Sequence, residues 1–354
     1  MQTPRFALAP DFHLILKQRV NTYFEQNQIA STGNWRLYLK AIVLISMQVG
    51  VYYAAVFGGF SDGVSLIFAA LLGVSSAGIG FNVMHDGAHG SFSTSKNLNS
   101  VAAFTLNILG GNDFLWKIKH NTIHHSFTNV DGVDDDIDIQ PFMRMCSTQA
   151  WKPAHRFQHI YATFLYCIMY ISWMFWMDYQ KYFSRKIGVL EIKNISWQDH
   201  TRFWAGKGLN LFFAIILPIY VLGWVKGLIG YTIFAMVTGF LISIVFQLAH
   251  TVEHMHFPSM AENGKIENEW AIHQIQTTAN FATTNPIVTW FCGGLNYQIE
   301  HHLFPKVSHV HYPKIAPIVR DVCQEYGLNY VEYPRVHQAV ASHFRFLKAM
   351  GQAA

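Results

Sequence analysis

VSLIFAALLGVSSAGIGFNVMHDGAH, residues 64–89, is apolar from Val64 to Met84 and then presents His85, Asp86 and His89 in quick succession. A helix rising 1.5 Å per residue needs about 20 residues to cross a hydrocarbon core ~30 Å thick. The run therefore reads as a membrane span that carries histidines to a membrane surface. Leu39 to Phe57 is a similar run with Lys40 at its start, and Gly58-Gly59-Phe60-Ser61-Asp62-Gly63 is a short turn between the two. Together they predict a transmembrane hairpin.

The same reading extends outward. Trp204 to Val225 and Leu228 to Ala249 predict a second hairpin that turns near Lys226-Gly227, with Pro218 placed to kink its first arm. Leu98 to Gly111 is apolar but too short to cross, which suits a buried or re-entrant segment. Residues 113–127 predict a polar helix with Lys117 and Lys119, and 130–138 an acidic loop. Residues 10–27 predict a helix, either packed or lying on the membrane surface. Beyond Glu253 the chain is polar, with helices expected from Pro313 to Tyr326, started by proline and stopped by Gly327, and from Val336 to Met350.

Parity constrains the topology. The hairpin 39–84 returns the chain to its starting side, so His85 and the histidines at 120–125 share that side. A further crossing by the aromatic run 157–176 would place His301 and His302 on the opposite side. The expected fold is thus an all-α integral membrane protein of two transmembrane hairpins, with four spans at about 39–57, 64–84, 204–225 and 228–249. Residues 98–111 and 157–176 would be interfacial or re-entrant. Tyr161, Tyr166, Tyr170, Trp173 and Trp176 suit the headgroup zone. Residues 113–156, 178–202 and 253–354 would form a helical cap, making 1–354 one domain. Of the two far-side turns, only the second carries a cation, Lys226, so the positive-inside rule places the histidine side in the cytoplasm.

Composition agrees. Of 354 residues, 51% are hydrophobic and only 13% charged, against about 25% charged in a soluble domain. The net charge is +4, without a basic run or nucleic-acid motif, which argues against a nucleic-acid partner. Cys146, Cys167, Cys292 and Cys323 are scattered and form no CxxC pair, so they read as buried or lipid-facing thiols. Residues 1–30 carry Arg5, Lys17 and Arg19 without a long apolar core, so no cleavable signal peptide is expected.

The chemistry lies in three histidine groups: His85-Asp86-Gly87-Ala88-His89, His120-Asn121-Thr122-Ile123-His124-His125 and Gln298-Ile299-Glu300-His301-His302. On a helix His85 and His89, four apart, share one face. At 3.6 residues per turn His120 and His124 lie about 40° apart and His125 about 140° from His120. That arc is too wide for one ion and suits a helix touching two. Imidazole accepts Fe, Zn, Cu or Ni. A zinc hydrolase uses about three protein ligands, whereas two irons activating dioxygen would employ eight or more. His250, at the end of the fourth span, is a further ligand candidate. His254 stands between ligand and supporting residue, and His273 reads as supporting. Asp134, Asp135, Asp136 and Asp138 read most simply as a solvated loop, with hydrogen bonding behind the histidines as the alternative. His13, His155, His159, His200, His309, His311, His337 and His343 read as ordinary surface or hydrogen-bonded residues.

These motifs resemble the membrane fatty-acid desaturases with three histidine boxes, whose patterns are HxxxH, HxxxHH and QxxHH. The glutamine that opens the third box looks like the front-end subgroup, which places a double bond between an existing one and the carboxyl end. The stretches at 269–272, 277–281, 291–296 and 321–325 look like the cyanobacterial delta-6 acyl-lipid type. The resemblance implies two non-haem irons, dioxygen as co-substrate, an acyl-lipid or acyl-thioester substrate in a bent tunnel, and electrons from a donor. By position it implies His85, His89, His120, His124, His125, His250, His301 and His302 as ligands. Gln298 stands where other subgroups have a histidine, which leaves its ligation open, as it does for His254. No HPGG motif of a fused cytochrome b5 occurs, so a separate donor, ferredoxin, is expected, with Lys117, Lys119, Arg144, Lys152 and Arg156 as its docking patch. Gly239, Ala235 and Ser243 are candidates for the tunnel wall. The rival readings are hydroxylation or a second dehydrogenation on the same scaffold, and a non-catalytic metal or haem membrane protein. The last conflicts with the absence of charge and histidine in the middles of 39–57 and 228–249.

Overall fold

The computed structural model describes residues 5–6, 11–259, 265–266 and 268–353. The fold is helical; among the described residues, strand pairing is confined to three two-stranded ribbons with two residues per strand. Helix α1 (Phe12–Gln26) places Phe12, Leu16, Val20 and Phe24 on one buried stripe against Ile315, Val319 and Val322. Each such side chain contributes about 1.5–3 kcal/mol on burial, so α1 is a packed cap helix.

Helices α2 (Trp35–Phe57) and α3 (Asp62–His89) form the first hairpin. Asn34 caps α2 by accepting from the Arg36 N–H. Ile42, Val43, Met47, Val49 and Tyr53 of α2 remain exposed, as a lipid-facing stripe requires. Helix α4 (Lys96–Ile108) is too short to span and rests on the end of α3. The contact is close at Gly87, where a Cβ would meet that of Ala102 at 2.6 Å. Helix α5 (113–127) follows.

Helix α6 (Pro153–Ser184) is longer than the apolar run 157–176 and counts as a fifth helix long and apolar enough to cross a membrane, with α2, α3, α7 (Trp197–Leu222) and α8 (Trp224–His250). It packs along α8, where a Cβ at Gly239 would meet the Cys167 and Tyr166 carbonyls at 2.7 and 2.8 Å. Small residues at such crossings let backbones approach without loss of packing. Pro218 in α7 sits just after a widened turn, in which the Leu217 N–H reaches the Phe212 carbonyl five residues back. Gly223, at φ 83°, then ends the helix. An ion pair between Lys226 and Asp62 at 2.6 Å joins the far-side turns of the two hairpins.

The cap is completed by α9 (Trp270–Thr277), α10 (Pro286–Phe291), α11 (Gln298–Leu303), α12 (Tyr312–Glu325) and α13 (Val336–Met350). Residues 260–264, 267 and 354 of the expected cap lie outside the described residues.

Candidate metal centre

Four elements deliver the histidines. The ends of α3 and α8 supply His85, His89 and His250; the middle of α5 supplies His120, His124 and His125; α11 supplies His301 and His302. Two of these elements depart from α geometry where they carry ligands. The His85 N–H bonds the Gly80 carbonyl, and the His125 N–H the His120 carbonyl, both five residues back. A π turn of this kind is a recurrent feature of functional sites. It swings His125 round to His120, and their Nε2 atoms lie 3.2 Å apart. The wide divergence expected from 3.6 residues per turn is therefore corrected: the local helix is wider. Ahead of α11, Gly293 and Gly294 adopt φ of 59° and 70°. A Cβ on Gly293 would meet the Phe81 carbonyl at 2.3 Å, so glycine there lets the third histidine group sit against α3.

The rings pack into two groups joined by a third that shares a member with each. His85, His89, His120 and His301 bring donor atoms within 4.8 Å of one another; so do His124, His250 and His302, and His125, His301 and His302. His125 stacks on His302 at 4.3 Å between centroids. The Nε2 atoms of His85, His89, His124, His301 and His302, and Nδ1 of His125, are buried without a hydrogen-bond partner. Leaving a buried donor or acceptor unpaired costs about 1–3 kcal/mol each, and metal ions would satisfy them together. The residues fit such a centre.

Outer partners orient the rings. His124 Nδ1 faces Asp134 at 3.0 Å, His302 Nδ1 faces Gln274 Oε1 at 2.8 Å, His301 Nδ1 faces the Tyr312 hydroxyl at 3.1 Å, and His250 Nδ1 faces the Thr277 carbonyl at 3.3 Å. These contacts leave Nε2 turned inward, the usual arrangement behind metal-bound imidazole. Burial, reinforced by neighbouring imidazoles, pushes His120, His125, His301 and His302 well below the ordinary histidine pKa, which keeps their lone pairs free. At His124 burial acts the same way, but Asp134 and Asp136 outweigh it and raise the pKa.

The fatty acid desaturase profile matches residues 61–334, three quarters of the chain and all three histidine groups. The chain belongs to the fatty acid desaturase family. It is similar to the sn-1 linoleoyl-lipid 6-desaturases of Arthrospira platensis (36% identity over 98% of this chain and 94% of the relative) and Synechocystis sp. (36% over 99% and 98%). It is also 37% identical to an acyl-lipid (8-3)-desaturase of Physcomitrium patens, over 96% of this chain and 72% of that protein. The protein is thus an oxidoreductase that desaturates fatty acyl groups of lipids, and its apolar helices make it an integral membrane protein.

In this desaturase all eight expected ligands converge, while two further candidates do not join them equally. Gln298 lies at the centre, its Nε2 2.9 Å from His250 Nε2 and its Oε1 unpartnered. His254 is exposed at φ 73°, beyond the end of α8, and belongs to none of the donor groups. The reason is that α8 stops at His250, so the four-residue spacing never lies on one helix face. The acidic loop is not simply solvated: Asp134 is buried under His124, while Lys119 pairs with Asp136 and Lys181 with Asp135. His309 also exceeds its expected role, its Nδ1 lying 3.0 Å from the carboxylate of Asp86, the residue next to His85 in the chain. Its signal was its position just after the third group. The expected docking patch is corrected as well. Lys117 and Lys119 are paired with Asp113 and Asp136, and Arg144 is buried, donating to four carbonyls of residues 147, 149, 350 and 352.

A cavity of about 450 Å³ opens against the histidines, lined by His85, His120, Trp116, Leu106, Tyr170 and Ser243 among others. Gly239 and Ala235, also expected in the wall, are instead used in packing against α6.

Proposed function

We propose that this desaturase uses two iron ions and dioxygen to place a cis double bond near the carboxyl end of a membrane-lipid acyl chain. The observation that carries the reading is the convergence of unpartnered, buried imidazole nitrogens in two groups linked by a third. His85, His89, His120 and His301 would hold one iron, His124, His250 and His302 the other, with His125 between them. When bound, the irons would activate dioxygen and supply the oxidising power that breaks C–H bonds on two neighbouring methylenes. The protein residues keep the imidazoles neutral and oriented, and the cavity sets which methylenes lie beside them. Removing two hydrogens while one dioxygen becomes two waters takes up two electrons and two protons from outside.

Front-end regiochemistry is supported by the cavity's polar wall. The Lys119–Asp136 pair lines it one residue from His120, and Asp136 lies 3.6 Å from His124. A headgroup or ester held there leaves few carbons before the reacting bond. The names of the cyanobacterial relatives agree with a 6-position.

The four-span topology, with spans near 39–57, 64–84, 204–225 and 228–249, remains our reading of the membrane arrangement. Both ends of α6 touch the histidine side: Gln158 donates to the Arg144 and Leu347 carbonyls, and Lys181 pairs with Asp135, next in the chain to the Asp134 that faces His124. A helix that crossed would part its ends. We place the histidine side in the cytoplasm on the charge asymmetry of the loops, and take ferredoxin as the electron donor.

The test is expression in a host of defined lipid content, with fatty-acid profiling by mass spectrometry and iron analysis of the purified chain. A new cis double bond near the carboxyl end, with about two irons per chain, is expected. An oxygen-bearing product, or a loaded haem spectrum, would overturn the reading.

A further inference from the structure

Two electrons must reach the buried centre in each turnover, a requirement that rests on the diiron reading above. Of the eight imidazoles only His89 is not buried, and Gly90 beside it is exposed. Its ring lies 4.6–5.2 Å from those of His85, His120, His125 and His301, so it is where the cluster comes closest to the surface.

Three loops assemble next to that edge. The Gly33 N–H donates to the Ser91 carbonyl and the Ser308 N–H to the Ser31 carbonyl, each at 2.8 Å, and His311 Nε2 lies 3.0 Å from the Thr32 carbonyl. These loops and the first turns of α2, α4 and α12 that they lead into expose Arg36, Lys96, Lys306 and Lys314. Residues 26–61, 87–112 and 301–320 contain no aspartate or glutamate. These segments therefore present cations and no carboxylate of their own, unlike the Lys117–Lys119 region, where Lys119 is paired with Asp136 and Lys117 shares Asp113 with Arg202.

We infer that this face, around the partly buried ring of His89, is the docking surface for an acidic protein that carries one electron at a time. Charge complementarity selects the partner: an unneutralised cationic patch attracts an anionic surface and orients its redox group over His89. Lys306 and Lys314 lie in the polar cap that follows α11, away from the spans, which favours a soluble protein over lipid headgroups as the occupant.

The experiment uses the iron-loaded full-length protein in neutral lipid vesicles, with a reduced, strongly acidic [2Fe–2S] ferredoxin as probe. Charge reversal at Lys96→Glu, Lys306→Glu and Lys314→Glu together is expected to raise the KM for ferredoxin about 10-fold or more at low salt, with the difference closing as salt screens the surface. Single turnover driven by dithionite should be unchanged. Lys152→Glu with Arg156→Glu, on the other cationic stretch, should leave the ferredoxin KM unaltered. An unchanged KM in the triple variant, or an equal loss with dithionite, would overturn the assignment. So would weakened binding to anionic vesicles with the ferredoxin KM intact, which would mark a headgroup surface instead. If the wild-type chain makes no product with either reductant, the diiron reading fails first.

Discussion

At the level of single residues, the centre depends on groups that never touch the acyl chain. Asp134 accepts from the Asn129 and Asp136 N–H groups as well as facing His124. Its carboxylate is thus fixed before it orients the imidazole. Asp134→Asn should lower iron affinity about 10–100-fold while the spans stay folded, measured by iron content and thermal unfolding; unchanged iron content would refute the role. His124→Ala should abolish both product and the second iron. His343 offers a different readout. It is buried between Tyr166 and Thr251, and burial lowers its pKa to about 4. The unfolded chain takes up this proton near pH 6.5, whereas the folded chain resists it. The stability is complete above pH 6.5 and is lost as pH falls towards 4, by up to about 3 kcal/mol. The acid sensitivity of Tm in detergent should therefore be smaller in His343→Gln than in the wild type.

Among the elements, the π turns carry the most consequence. Within 118–124 the widened helix keeps His120 and His125 together while His124 reaches the second group. Deleting exposed Thr122 would rotate everything after it by about 100°. The expected outcome is loss of iron with helical circular dichroism unchanged; retained iron would show that the turn is dispensable. The crossing of α6 and α8 is similarly exacting. Gly239→Val would drive side-chain atoms into the Tyr166 and Cys167 carbonyls, destabilising by about 1–3 kcal/mol, read as a lower Tm. Because α6 also lines the cavity through Tyr170 and Met169, the product profile should shift with it.

For the molecule as a whole, Lys226–Asp62 ties α8 to α3 at the ends remote from the histidines, while His85, His89 and His250 gather at the opposite ends of the same two helices. The position of α6 decides the number of crossings. Single cysteines replacing Lys152 and Arg185, before and after α6, should be labelled from the same side of the membrane, and one replacing Lys226 from the other. Labelling of positions 152 and 185 from opposite sides would give five spans.

The sequence alone determined the chemistry and the coarse fold. Apolar runs long enough to cross lipid, and histidines repeated at their ends, are local patterns that need no neighbours to be read. The eight imidazoles could be named beforehand because their motifs resemble those of a known family; that they converge was decided by the fold. Only the tertiary structure decided what depends on distant partners. The pairing of His120 with His125 required knowledge of the π turn, which no residue type announces. The burial of Asp134, the withdrawal of Arg144 into the cap and the separation of His254 from the centre follow from helix ends and packing between segments over a hundred residues apart, as between Arg144 and Met350. Charge along a chain is visible in its letters; whether that charge is neutralised, buried or left facing a partner is settled by what folds beside it.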